Sequence, residues 1–235
     1  MKKFITTIVF LGFSTITASA VDFGALSITG GFAQSTSVWG ASAQQNQYDS
    51  NNDGTIDENQ KEHGVFQETF SSQFLELGVG RFVSLGYELT PDSISTPQNS
   101  SNEGKGNANT VSVDFNDFET LYLKLNIPGG MFVKYGMVQT DLDIKETMSS
   151  GNTYKNVSAE GTSFGAGYQG YIGEGGFGWR IETNYIDLDN VTTNNGVGSS
   201  TSGGTTANGG FNEIKATNVE GLTAKVAVTY TFGRN

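Results

Sequence analysis

Residues 120–137 read Thr120-Leu121-Tyr122-Leu123-Lys124-Leu125-Asn126-Ile127-Pro128-Gly129-Gly130-Met131-Phe132-Val133-Lys134-Tyr135-Gly136-Met137. Before the Pro128-Gly129-Gly130 break, Leu121, Leu123 and Leu125 alternate with Tyr122 and Lys124. After it, Met131, Val133, Tyr135 and Met137 alternate with Lys134 and Gly136. A two-residue period places the two sets on opposite faces of a strand. The break between them is a tight turn. The stretch reads as a β-hairpin with one large apolar face and one face of small, polar and lysine side chains.

Working outward from this hairpin, the same pattern recurs along the chain, with no long apolar repeat of helical period after residue 20. Eight strands are expected, at about 23–38, 70–79, 81–89, 110–126, 131–142, 160–172, 177–188 and 219–232. Strand three sets Val83, Leu85, Tyr87 and Leu89 against Ser84, Gly86 and Glu88. Strand seven sets Phe177, Trp179, Ile181 and Tyr185 against Arg180, Glu182 and Asn184. Strand eight sets Leu222, Ala224, Val226, Val228, Tyr230 and Phe232 against Lys225, Thr229 and Thr231. Seven charged residues (Glu76, Glu88, Lys124, Lys134, Arg180, Glu182 and Lys225) all fall opposite the large apolar face. Asp117 and Glu119 share the parity of Leu121, which places them above a membrane edge or across a bulge.

The connections alternate strictly. Gly-rich links near 78–81, 128–130 and 173–176 are short, whereas those at 40–68, 90–109, 143–159 and 189–218 are long. In an up-and-down sheet, every tight turn then lies at one end and every long loop at the other. That is the asymmetry of an outer-membrane barrel. A sheet crossing hydrocarbon must close to satisfy its backbone, and about ten tilted residues per strand span a bilayer. A soluble exported barrel or sandwich also alternates. It needs a well-solvated outer face, however, and the polar face here is mostly Gly, Ser and Thr. Trp39, Tyr87 and Tyr185 toward the long loops, with Trp179, Tyr230 and Phe232 toward the short turns, read as two aromatic girdles. The expected fold is therefore all-β: an eight-stranded antiparallel up-and-down transmembrane β-barrel.

Composition agrees with this reading. Among 235 residues, 16% are charged and 32 are Gly, against about a quarter charged in soluble domains. Coiled coils and helical membrane bundles are excluded. The net charge of −11 argues against nucleic acid as a partner. Residues 1–20 carry a basic start (Lys2, Lys3), an apolar stretch from Phe4 to Phe13 and the small-x-small Ala18-Ser19-Ala20. That is the pattern of a cleavable signal peptide. Residues 21–235 then form the barrel, with a net charge of −13 once Lys2 and Lys3 are gone. The absence of cysteine excludes disulfides and thiolate chemistry.

On these strands and links, roughly residues 21–232 resemble the small eight-stranded outer-membrane barrels of the OmpA-, OmpX- and OmpW-like class. The resemblance implies an outer-membrane location, contact with outer-membrane lipids, insertion by the barrel-assembly machinery and a monomer. Members of the class often end in an alternating strand with a terminal aromatic. Val226-Ala227-Val228-Thr229-Tyr230-Thr231-Phe232 matches, with Gly233-Arg234-Asn235 following.

Two features are candidates for function. The seven interior charges, four basic and three acidic, are expected to pair as a plug in a narrow lumen. A pairing switch that opens a narrow path for ions or small solutes is the alternative. In the first long loop, Asp49-Ser50-Asn51-Asn52-Asp53-Gly54-Thr55-Ile56-Asp57 matches the first nine positions of EF-hand and dockerin calcium loops. Asp49, Asn51, Asp53, Thr55 and Asp57 are the candidate Ca2+ ligands. Gln60 replaces the bidentate Glu of position twelve, so the expected site is weak and orders an outer loop.

His63 is the only histidine, and no Ser or Asp partner stands at a telling spacing. No enzyme activity is expected. The expected function is a structural or surface-interaction role, with acidic outer loops meeting extracellular ligands or phage. A narrow channel or porin is the alternative, and a soluble exported β protein the more distant one.

Overall fold

The alternating runs are realised as one antiparallel sheet that closes on itself. The computed structural model describes residues 26–48, 56–101, 109–147, 153–196 and 211–233. The leader expected at 1–20 lies outside them. The strands are β1 (Leu26–Tyr48), β2 (Ile56–Val79), β3 (Val83–Thr90), β4 (Ile94–Ser95), β5 (Asn99–Ser101), β6 (Asn109–Asn126), β7 (Met131–Thr147), β8 (Val157–Tyr171), β9 (Phe177–Leu188), β10 (Val191–Asn194) and β11 (Asn212–Phe232). The ring runs β1-β2-β3-β6-β7-β8-β9-β11, and β11 pairs back to β1. The short strands β4 and β5 pair with the outer half of β6, and β10 pairs with the outer half of β11.

The register sets the tilt. Thr29 faces Glu76, which leads through Gly86, Tyr122, Gly136, Ser163, Ile186 and Gly221 back to β1 at Trp39. The circuit returns ten residues further along β1 than it began. This stagger tilts the strands and leaves an interior that side chains can fill. The β6–β7 turn is possible because Gly129 and Gly130 take φ of 95° and 93°, a backbone region that L side chains avoid.

The outer wall is apolar. Leu85, Leu121, Leu123, Leu125, Tyr135, Met137, Ile181, Val226 and Val228 all point outward and are exposed. A continuous apolar band around a closed barrel is the surface that outer-membrane barrels present to lipid.

The strands run well beyond the alternating segments. The expected loop at 40–68 is for most of its length a continuation of the β1–β2 hairpin, with Ala43 opposite Glu62 and Gln45 opposite Gln60. β7 likewise reaches Thr147, and β11 begins at Asn212 within the expected 189–218 loop. Alternation reports the contrast between a buried and an exposed face, and that contrast ends where the barrel ends. Backbone pairing continues because β1 is flanked on both sides, with Gln44 opposite Lys61 and Lys215.

Asp117 lies in a bulge, whereas Glu119, just below it, keeps the outward parity of Leu121. Asp117 takes a φ of 49°, and the β6–β7 register slips between Asn116 and Glu119. The inserted residue turns both Phe115 and Phe118 inward, where they are buried. The Thr140 hydroxyl donates to the freed Asn116 carbonyl at 2.8 Å. This is the usual effect of a bulge on strand direction.

Candidate functional site in the barrel lumen and at its outer rim

Seven charged side chains face the lumen from six strands, and all are buried. Toward the short-turn end, Glu76 is the hub. Its two oxygens accept from both terminal nitrogens of Arg180, each at 2.8 Å. The Tyr122 hydroxyl donates to the same carboxylate at 2.8 Å, and Lys124 also pairs with it. Gln169 Oε1 accepts from Lys124 and Arg180, each at 3.2 Å.

A second group lies above. Lys134 Nζ donates to Glu182 at 2.7 Å and to Glu88 at 3.4 Å. Lys225 pairs with Glu88 and, at 3.1 Å, with Glu182. Ser72 donates to Glu88 at 2.7 Å, and Asn184 Nδ2 to Glu182 at 3.0 Å. Arg180 Nη1 stands 4.0 Å from Glu182 Oε2 and joins the two groups. Buried charges survive only when paired and hydrogen-bonded this thoroughly.

Aromatic rings close the spaces between the charges. The Arg180 guanidinium lies 4.6 Å from the Phe74 ring centre and 5.1 Å from that of Phe132. Lys134 sits 4.5 Å from the ring of Tyr122. These are cation–π distances. Each ring lies across a glycine on the neighbouring strand: Phe74 opposite Gly31, Tyr122 opposite Gly86 and Phe132 opposite Gly167. A Cβ at Gly86 would come within 2.3 Å of Tyr122 Cζ, and one at Gly167 within 2.4 Å of Phe132 Cζ. The inward glycines are therefore recesses for rings. Their parity with Glu76 and Lys134 was the available signal for Phe74 and Phe132, which sequence reasoning left without a role.

Above the charges, toward the long connections, the lumen turns apolar. Trp39, Phe70, Phe115, Phe118, Val138, Ile186 and Leu188 form one buried cluster, with Ile94 of β4 inserted into it. Trp39 stacks on Phe115 at 5.7 Å, meets Phe118 edge-on at 6.0 Å, and donates its indole N–H to Ser37 Oγ at 2.8 Å. This corrects the girdle reading of Trp39, which is 1% exposed and points inward. Gly221 opposite it leaves room for the indole: a Cβ there would lie 2.7 Å from the ring. Trp179, Tyr230 and Phe232 do lie on the outer wall near the short turns.

Of the candidate calcium ligands, Asp49, Asn51, Asp53 and Thr55 lie outside the described residues. Asp57 and Gln60 lie in β2, and Gln60 is in register with Gln45. The expectation that His63 has no serine partner is corrected by strand pairing: the β1–β2 register sets Ser42 opposite it, and His63 Nδ1 shares a 2.8 Å hydrogen bond with Ser42 Oγ on the exposed part of the hairpin. Beyond the barrel rim, β2, β1, β11 and β10 continue side by side as a projecting sheet. β2 pairs with β3 only as far as Gln73. From Lys61 to Ser72, among the described residues, its other edge is paired with no strand.

The outer membrane protein OprG from Pseudomonas aeruginosa is similar to this chain at a TM-score of 0.51 and 10% identity, covering 85% of this chain and 96% of its own. The fold is that of the small outer-membrane barrels. The outer membrane protein AlkL aligns at 0.47 and 12% identity over 93% of this chain and 96% of its own. The outer membrane protease OmpT from Escherichia coli aligns at 0.43 and 12% identity, over 93% of this chain and 100% of its own. No family model and no curated protein sequence matches the chain.

Proposed function

We propose that this protein is an integral outer-membrane barrel with a sealed lumen, acting at the cell surface through its projecting sheet and acidic loops. The observation that carries this reading is the double closure of the lumen. An aromatic and aliphatic plug stands over a layer of interlinked ion pairs, so conduction would require both to move. The apolar outer wall supports a membrane location over a soluble exported barrel. The leader-like residues 1–20 and the barrel neighbours support the outer membrane. Insertion by the barrel-assembly machinery and a monomeric state accompany this reading. It takes the protein to have no enzymatic role: Ser42 and His63 stand as a hydroxyl–imidazole pair, but among the described residues no carboxylate is hydrogen-bonded to His63 to orient it as a base.

The unpaired edge of β2 supplies a mode of contact. Free backbone N–H and C=O groups along an exposed strand can accept an added strand from a partner. Extracellular proteins or phage tail proteins are the partners in view. In the same proposal, Asp49, Asn51, Asp53, Thr55 and Asp57 bind Ca2+ weakly and order the hairpin tip.

The test is single-channel recording of the refolded chain in a planar bilayer, with insertion verified independently. A silent bilayer supports the sealed barrel, and discrete steps would favour the narrow channel instead. Calorimetry at millimolar calcium checks the tip: binding heat abolished by Asp49→Ala with Asp53→Ala is expected.

A further inference from the structure

The lumen network divides into a balanced half and an unbalanced one. In the upper group, Lys134 and Lys225 share the carboxylates of Glu88 and Glu182. In the lower group, Arg180 and Lys124 share the single carboxylate of Glu76. Arg180 Nη1 also stands 4.0 Å from Glu182 Oε2, but Lys134 and Lys225 already engage that carboxylate. The Tyr122 hydroxyl donates to Glu76 and brings no negative charge. Among the described residues, the lower group therefore keeps one positive charge in excess, and an uncompensated buried charge is costly.

Both cations of that group converge on one further atom. Lys124 Nζ and Arg180 Nη2 each donate to Gln169 Oε1 at 3.2 Å. Cation contacts to a negative oxygen close to about 2.7–2.9 Å, as the Arg180–Glu76 pair does at 2.8 Å. The longer contacts to Gln169 are those of a neutral amide standing where two positive groups meet. Arg180 Nε, also buried, has no hydrogen-bond partner. Gln169 is held on its other side by Nε2, which donates to Asn126 Oδ1 at 3.1 Å.

Access to this point is from the short-turn end. Glu76, Arg180 and Lys124 are 2–3% exposed, whereas Gln169, Asn126 and Thr29 are only half-buried. Toward the turns the inward positions are small: a Cβ at Gly78 would stand 2.3 Å from Ser27 Oγ, and one at Gly178 2.7 Å from Thr229 Oγ1. To one side, the Phe132 ring centre lies 5.5 Å from Lys124 Nζ and 5.1 Å from the Arg180 guanidinium. The space beside the two cations thus suits an ion and not a bulky solute. The upper charge group and the apolar plug bar the way from the outer side.

We propose that Gln169 is the movable stopper of an anion site open to the short-turn side. One small monovalent inorganic anion, a halide, displaces Gln169 Oε1 and accepts from Lys124 and Arg180 together. Two cations touch it directly while Glu76 stands behind them, so attraction outweighs repulsion. Its single charge balances the lumen network. Because the ion enters past half-buried side chains, it exchanges with the medium in the folded state.

The test refolds residues 21–235 in detergent and crystallises them in sodium gluconate, whose anion is too large for the site. Crystals soaked in sodium bromide should show an anomalous peak within hydrogen-bond distance of both Lys124 and Arg180, with Gln169 swung aside. In solution, urea midpoints are compared in sodium chloride and sodium gluconate at one pH and ionic strength. Lys124→Met removes the surplus cation, so the bromide peak should vanish and the chloride–gluconate difference should shrink. Gln169→Glu places a fixed carboxylate on the same two cations. It should raise the midpoint in gluconate and weaken bromide binding about tenfold or more. Absence of a bromide peak between the two cations would overturn the proposal and leave an uncharged Lys124 amine as the source of balance. Should Lys124→Met not fold, the nearly isosteric Gln169→Glu decides: bromide binding as strong as in the parent chain places the ion elsewhere and overturns the assignment.

Discussion

Glu76 and Arg180 meet in a two-pronged ion pair, both contacts at 2.8 Å, although 104 residues separate them in the chain. The pair crosses the lumen from β2 to β9, and both side chains are 2% exposed. Lys124, Tyr122 and Gln169 complete its hydrogen bonding. The interior of this barrel is thus held by charge pairing at a depth where most soluble domains would use leucine.

Glu76→Gln leaves Arg180 and Lys124 buried without their carboxylate. Removing one partner of a buried pair costs about 3–5 kcal/mol, so the urea midpoint should fall sharply. Glu76→Gln combined with Arg180→Met removes both ends and should recover a substantial part of the loss. A single variant as stable as the parent chain would show that the network contributes little.

Gly86→Ala places a Cβ within 2.3 Å of Tyr122 Cζ. The ring must leave its recess and take its hydroxyl away from Glu76. Overpacking of this kind costs about 1–3 kcal/mol. Gly40→Ala is the matched control, because a Cβ there meets nothing within 4 Å; a change within about 0.5 kcal/mol is expected for it. The heat-modifiable gel shift of the two variants, titrated with urea, reads the difference.

Trp39→Ala hollows the apolar plug and should cost about 3–5 kcal/mol. It leaves the charge layer below intact, so planar-bilayer recordings of the variant are expected to stay silent. Steady conductance from this single substitution would mean that the charge layer does not seal the barrel.

The two tryptophans differ in surroundings. Trp179 is 37% exposed on the outer wall, whereas Trp39 is enclosed in the plug. In liposomes of brominated lipid, Trp179 fluorescence should be quenched strongly. The Trp179→Phe variant, which retains Trp39 alone, should resist quenching. Equal quenching of both would contradict the inward placement of Trp39.

Much of this architecture is legible in the chain because side-chain direction on a strand is a local property. The alternation of Leu121, Leu123 and Leu125 with Tyr122 and Lys124 needs no knowledge of neighbouring strands. Neither does the opposite parity of Arg180 and Ile181. The Pro128-Gly129-Gly130 turn is equally local. Trp39 shows where local reading stops. Its parity with Ser37 was in the sequence, but its size and its place near a long connection favoured the membrane interface. Alternation turns it inward, and what makes room for it there is Gly221, a residue on the strand that closes the barrel.

The membrane-crossing parts of the eight ring strands, the short turns and the sets of side chains that share a face are readable from the chain alone, because they follow from backbone geometry over a few residues. Strand pairing and closure set the rest: that Glu76 meets Arg180, that Phe74, Tyr122 and Phe132 lie in glycine recesses, and that β1 and β2 continue as a projecting sheet. These depend on how the eighth strand of the ring joins the first. A closed ring has one stagger, and that stagger sets which distant residues share a level inside it.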